Sequence, residues 1–192
     1  MTKKGTNIMK MVALLRGVNV GGKNRVPMQE LKKCFLDAGF TEVATYINSG
    51  NIVFEADWKS REQTLQDYCQ QIIEAAFGFP VIVAIVTADE LAEAIQHAPS
   101  WWGTDPAMRH NALFVIYPAS AEDVLSGVGP INNDLEKVSY VGTILFWSAS
   151  VEKYRRTRFS KIIGTKSYQQ VTIRNANTTR KLWAMSQEQI EK

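Results

Sequence analysis

Asn48-Ser49-Gly50-Asn51 separates two short apolar runs, Val43 to Ile47 and Ile52 to Glu55. Turn-forming residues packed this tightly between strand-length runs predict a hairpin, so the two strands pair antiparallel. Parallel neighbours would need a crossover of a dozen or more residues, and four residues cannot supply one. The flanking patterns extend this unit. Met11 to Leu15 reads as a strand, and Met28, Leu31, Phe35 and Ala38 recur at helical spacing between Pro27 and Gly39. Ser60 with Gln63 forms a capping-box signature for a helix carrying Leu65, Tyr68, Cys69, Ile72 and Ala76 on one face. Gly78 and Pro80 stop that helix before the β-branched run Val81 to Val86. The order is βαββαβ, the split-βαβ or ferredoxin-like arrangement.

The second half repeats the order more loosely. Thr87 with Glu90 predicts a linking helix through Ile95, ended by Pro99. Leu113 to Tyr117 reads as a strand, and Ser120 with Asp123 starts a short helix ending near Gly127. Val138 to Val141 and Ile144 to Ser148 predict a second hairpin about Gly142-Thr143. A helix near Phe159 to Ile163, a strand Val171 to Ile173 and a last helix over Thr179 to Gln189 complete the pattern. The expected fold is α+β: two tandem ferredoxin-like (βαββαβ) halves with antiparallel sheets and an extra C-terminal helix. The first half covers 1–86 and the second, with that helix, 87–192; the two either stand apart or pack as one domain.

At 45% hydrophobic and 21% charged residues, the chain has enough apolar side chains for such a core. Its longest apolar runs fall far short of the roughly 20 residues that cross a bilayer. The basic start Met1-Thr2-Lys3-Lys4 leads only to a strand-length apolar run and then Arg16, so secretion is not expected. Cys34 and Cys69 fall on predicted helices without the paired spacing of a metal site, and they read as buried free thiols of a cytoplasmic protein. His97 and His110 are the only histidines, which excludes a histidine-rich metal centre. No metal and no cofactor are expected.

Charge is unevenly placed. Nine Lys or Arg and no acidic residue lie between Lys153 and Trp183, although the whole chain carries only +3. Such segregation points to an anionic partner or to a solvated basic face.

Two segments carry candidate chemistry. The first is the loop Arg16-Gly17-Val18-Asn19-Val20-Gly21-Gly22-Lys23-Asn24-Arg25-Val26-Pro27. It matches G-x-x-x-x-G-K and then places Asn24 where a phosphate-binding P-loop has a Mg²⁺-ligating hydroxyl. Pro27 also delays the helix, and the downstream hairpin contradicts a parallel P-loop sheet. A Mg²⁺-dependent nucleotide loop is therefore rejected. What remains is an anion cradle at Arg16, Asn19, Gly21, Gly22, Lys23, Asn24 and Arg25, with Asn48, Ser49 and Asn51 from the hairpin, or a wide turn without a ligand.

The second segment is the terminal block. Arg158, Ser160 and Lys161 precede Arg174, Asn175, Asn177 and Lys181, mixing guanidinium forks with the neutral donors typical of nucleotide-backbone contacts. Tyr154, Phe159 and Tyr168 are interleaved; they stack on bases or, more simply, fill the core, while Asn177, Thr178 or Thr179 caps the last helix. Trp101-Trp102 reads as packing at the junction between halves.

The run Leu14 to Asn24, with Pro27-Met28, resembles the start of an uncharacterised, mainly bacterial family, domain of unknown function 1697. The resemblance continues through Thr45-Tyr46-Ile47-Asn48-Ser49-Gly50-Asn51-Ile52-Val53-Phe54, Ser160-Lys161-Ile162 and Thr172 to Thr178. It implies a duplicated ferredoxin-like α+β fold and no known activity. It also leads one to expect a tryptophan where Ala176 stands and a smaller residue at Arg180.

The functional expectation is a protein that binds an anionic ligand, a nucleotide or a nucleic-acid backbone, between the glycine-rich loop and the C-terminal basic block, with no membrane association. One alternative is an enzyme acting on a small phosphorylated or carboxylated metabolite, with Lys23 or Lys161 stabilising charge. Another is an assembly protein that docks an acidic partner on its basic face. The residues specify neither the oligomeric state nor a catalytic base.

Overall fold

The computed structural model describes residues 8–58 and 62–188. It forms two compact units: one reaches to Ala88 and includes the segment from Ala184, and the other is Asp89–Trp183.

The first unit contains strand β1 (Ile8–Leu15), helix α1 (Met28–Asp37), strands β2 (Thr41–Tyr46) and β3 (Asn51–Asp57), helix α2 (Glu62–Phe77) and strand β4 (Val83–Thr87). Its sheet runs β2-β3-β1-β4, with every pair antiparallel. Alternation along β1 sends Met11, Ala13 and Leu15 to one face, where they pack with Ile52 and Phe54 of β3. Leu31 and Phe35, one helical turn apart on α1, and Leu65, Cys69 and Ile73 of α2 close over that face. Phe54 meets Phe35 edge-on at 5.2 Å and lies 4.7 Å from Phe40. Pro27 stands at the N-cap of α1, as its fixed φ favours. Ser60, the capping half of the expected Ser60–Gln63 pair, lies outside the described residues.

Both cysteines are free; Cys69 is buried and Cys34 half-buried, its Sγ 3.3 Å from the Ile72 carbonyl. Burial pushes both thiols up, reinforced at Cys34 by the Asp37 carboxylate. The thiolate is the reactive form, so raised values move alkylation to higher pH. At pH 8, iodoacetamide is expected to modify Cys34 more slowly than a free thiol and Cys69 only after urea unfolding. Peptide mapping by mass spectrometry reads both, and native-state labelling of Cys69 at the free-thiol rate would contradict its packing.

The second unit opens with most of helix α3 (Ala88–Gln96). Strand β5 (Met108–Val115), helix α4 (Ala121–Val128) and strands β6 (Glu136–Val141) and β7 (Ile144–Ser150) follow. Helix α5 (Lys166–Gln169), strand β8 (Val171–Asn175) and helix α6 (Ala176–Gln187), which runs on into the segment from Ala184, are the last described elements. The sheet order is β6-β7-β5-β8, again antiparallel throughout. Ser120 and Asp123 form the expected reciprocal capping box: Asp123 N–H donates to Ser120 Oγ, and Ser120 N–H donates to Asp123 Oδ2. Leu113 and Val115 of β5, Leu145 and Trp147 of β7, Val124 and Phe159 belong to one core.

Three expectations shift. Strand β5 begins five residues before Leu113, because Met108 to Asn111 pair with β7 from Ser150 inward. In place of a helix near Phe159 to Ile163 stand two 3-10 turns, Tyr154–Arg156 and Phe159–Lys161. The last helix starts at Ala176, because Asn175 Oδ1 accepts the Thr178 N–H at 2.8 Å and so does the capping expected of Asn177, Thr178 or Thr179. Among the described residues no helix is long and apolar enough to cross a membrane, and no three His, Cys, Asp or Glu are grouped to hold a metal ion.

Candidate anion-binding sites

The glycine-rich loop folds as a miniature hairpin. Asn19 N–H donates to the Asn24 carbonyl at 3.0 Å and Lys23 N–H to the Val20 carbonyl at 3.2 Å. Gly21 and Gly22 form the tip with φ of 59° and 75°, the pair of positive values that a type I′ turn requires. Val20 at this tip is 68% exposed. Asn19, itself at φ 56°, clamps the base: its Nδ2 donates to the Val26 and Asn48 carbonyls, and its Oδ1 accepts the Val26 N–H. Asn24 Nδ2 reaches the Gly17 carbonyl at 3.4 Å. Asn51 is buried and donates to both the Tyr46 carbonyl and Ser49 Oγ at 2.9 Å. These polar groups therefore build the loop and the neighbouring turn. Arg16 is half-buried, with its N–H donating to the Ile82 carbonyl, while Lys23 and Arg25 are exposed.

The terminal block divides between two cavities of the second unit. The first cavity depends on Glu136, whose side chain is fully buried at the start of β6. Its carboxylate accepts three N–H groups: Arg158 at 2.6 Å, Phe159 at 3.1 Å and the Trp147 indole at 3.0 Å. Charge-assisted bonds of this kind are stronger than neutral ones, and here they anchor the second 3-10 turn to the sheet. Phe159 reinforces the anchor by packing edge-on to Trp147 at 5.4 Å. Thr157 accepts the Ser160 N–H on its hydroxyl and receives the Ser160 hydroxyl on its carbonyl, so Ser160 is tied into the turn. Arg158 Nε donates to the Pro130 carbonyl at 3.1 Å.

Arg156, Arg158 and Lys161 consequently face the Pro130–Asp134 turn across a cavity of about 550 Å³. Asn132 and Asn133 add neutral donors, and Asp134 is the single carboxylate on the wall. None of the three cations forms an ion pair with a described residue, and together they offer two guanidinium forks and one ammonium to the cavity.

The second cavity, about 410 Å³, takes Asn175 and Asn177 together with Arg109, His110, Asn111 and Tyr154. His110 is fixed by both ring nitrogens, 2.6 Å from Ser148 Oγ and 2.7 Å from the Asp105 carbonyl. The Arg109 guanidinium lies over the Tyr154 ring at 4.5 Å. Arg174, in contrast, is buried in β8, with Nη1 donating to Thr172 Oγ1 and the Ile173 carbonyl; desolvation pushes it down to about 10, so it stays charged at neutral pH. Lys181 is exposed on α6. Trp102 is buried edge-on to Phe146 at 4.8 Å, beneath the Arg180 guanidinium.

Sequence reasoning overlooked Arg109, His110 and Asn111, and Asn132 and Asn133. The Asn-rich stretch after Gly129-Pro130 was a readable turn signal; the polar half of β5 carried none.

The family model "Protein of unknown function (DUF1697)" matches residues 8–146. A conserved bacterial protein from Streptococcus pneumoniae has a similar solved structure, at 29% identity and a TM-score of 0.82, covering 94% of this chain and 99% of its own. An unknown protein from Galdieria sulphuraria aligns over 88% of this chain and 99% of its own at 13% identity, with a TM-score of only 0.25. No protein of curated function matches.

Proposed function

Because the chain belongs to the DUF1697 family of proteins of unknown function, we propose a function from its own geometry: it binds an anionic ligand, a nucleotide or a nucleic-acid backbone, in the cavity ringed by Arg156, Arg158 and Lys161. The observation that carries this reading is three cations around one polar cavity with no carboxylate paired to any of them among the described residues. Cations held close together repel one another, and a bound phosphate relieves that repulsion while accepting several donors at once. All three cations lie beyond the residues that the family model matches, whereas the Pro130–Asp134 side of the cavity lies within them. In the first unit Lys23 and Arg25 offer a smaller cationic patch of the same character.

We infer further that the chain is built of tandem ferredoxin-like halves, 1–86 and 87–192, with α6 appended. What supports this is the shared element order and the equivalent strand orders, β2-β3-β1-β4 and β6-β7-β5-β8.

Pyrophosphate, ATP and a short oligonucleotide, each tested by thermal shift at two salt concentrations, discriminate the versions. A ligand at 100 times its dissociation constant is expected to stabilise the fold by about 2.7 kcal/mol. Arg156→Ala and Lys161→Ala, at side chains that make no hydrogen bond or ion pair with a described residue, are expected to weaken pyrophosphate binding about tenfold each, or roughly 1.4 kcal/mol. Nucleic-acid binding would also fall steeply with salt, with a slope set by the number of phosphates contacted. Wild-type protein that responds to none of the three probes, or variants that bind as well as wild type, would end the proposal.

A further inference from the structure

The second cavity calls for a different ligand, and we infer that it is a site for a small aromatic monocarboxylate, recognised by Arg109 beside Tyr154. This inference is independent of the phosphate reading, because the two cavities share no lining residue.

One charge decides the ligand's class. Among the described residues Arg109 is the single Lys or Arg on the wall, no Asp or Glu lines it, and Arg109 forms no ion pair. A guanidinium resting over an aromatic face keeps its in-plane N–H fork available, and that fork matches a carboxylate in bidentate fashion. Its position over Tyr154 at 4.5 Å also restrains the guanidinium before any ligand arrives. A phosphate dianion would be only half neutralised here, whereas the three-cation cavity serves it better.

The remaining wall describes the body of the ligand. Tyr154 and Phe159 give an aromatic side, their rings 6.3 Å apart in an edge-on arrangement. His110 has both nitrogens engaged, so it contributes a fixed ring surface rather than a free proton donor. Asn111 and Asn177 have side-chain amides without a hydrogen bond to any described residue, and Asn175, with Oδ1 occupied by Thr178, retains its amino group as a donor. Such a set suits a planar ring carrying a polar heteroatom. At about 410 Å³ the cavity is at the small end of ligand pockets.

Nicotinate is a suitable probe and nicotinamide its neutral counterpart, titrated while amide resonances are followed by ¹⁵N–¹H NMR. Nicotinate is expected to shift Gly103, Asn111 and Asn177 saturably, and nicotinamide to bind at least about tenfold more weakly. Arg109→Met keeps an apolar stem against Tyr154 and removes the fork, so nicotinate affinity should drop about tenfold or more while the pyrophosphate response persists. Arg109→Lys keeps the charge without the fork and should fall between. Equal binding of the two probes, an unaffected Arg109→Met, shifts confined to Arg156, Arg158 and Lys161, or no saturable shift with nicotinate would each overturn the inference.

Discussion

Gly50→Ala is expected to destabilise the first unit by about 2–5 kcal/mol, from two separate causes. Gly50 sits at φ 75° in the turn between β2 and β3, a conformation that costs an L residue about 1–2 kcal/mol. A Cβ there would also stand 2.7 Å from Leu15 Cβ and 2.8 Å from Val18 Cγ2. Leu15 is held in place, paired to Val83 in the sheet with its N–H donating to the Gly50 carbonyl at 2.8 Å, and Val18 is buried in the core. Forcing a methyl into such a contact adds roughly 1–3 kcal/mol. Gly39→Ala is the matched control, since Gly39 has φ 90° but nothing within 4 Å of an added Cβ. It should lose only the conformational share. Urea unfolding followed by circular dichroism reads the difference as a midpoint shift at constant slope. Equal losses in the two variants would show that the close approach to Leu15 and Val18 is not what requires glycine.

The turn around Gly50 was legible in the sequence because its signal is local. Asn48-Ser49-Gly50-Asn51 carries the turn chemistry within four residues, as Ser120 and Asp123 do for the start of α4. The glycine loop was half legible. Gly21-Gly22 after Val20 is a hairpin signal as much as an anion-cradle signal; the backbone bonds of Asn19 to Asn24 and Lys23 to Val20 form the hairpin, and the Asn19 side chain ties it to Val26 and Asn48. The start of β5 was hidden because Arg109, His110 and Asn111 interrupt the apolar pattern, and these are the residues that line the smaller cavity. A strand that spends side chains on a cavity loses the periodicity by which strands are found. The 3-10 turns after β7 were hidden for another reason. The anchor of the second turn, Glu136, is more than twenty residues upstream, and no local propensity encodes that pairing.

That anchor makes Glu136 the residue whose loss should be felt most widely in the second unit. Glu136→Ala is expected to cost about 3–5 kcal/mol, because it leaves three donors in or beside the core without their acceptor. The backbone N–H groups of Arg158 and Phe159 and the Trp147 indole would all lose the carboxylate at once. Glu136→Gln separates charge from shape. Its amide oxygen can serve the side where Trp147 and Phe159 converge on Oε2, but its amino group then opposes the Arg158 N–H. A loss of about 1–3 kcal/mol is expected for that one mismatched donor. The same mismatch pushes the Arg158 backbone off the sheet, and with it the guanidinium that shares a cavity with Arg156 and Lys161. Glu136→Gln should therefore weaken pyrophosphate binding although its side chain is not on the cavity wall, while nicotinate binding at Arg109 should change less. If Glu136→Gln unfolds at the wild-type urea concentration and Glu136→Ala falls within about 1 kcal/mol of it, the carboxylate is not the anchor. The cation triad would then owe its geometry to Phe159 packing on Trp147 and to the Thr157–Ser160 bonds instead.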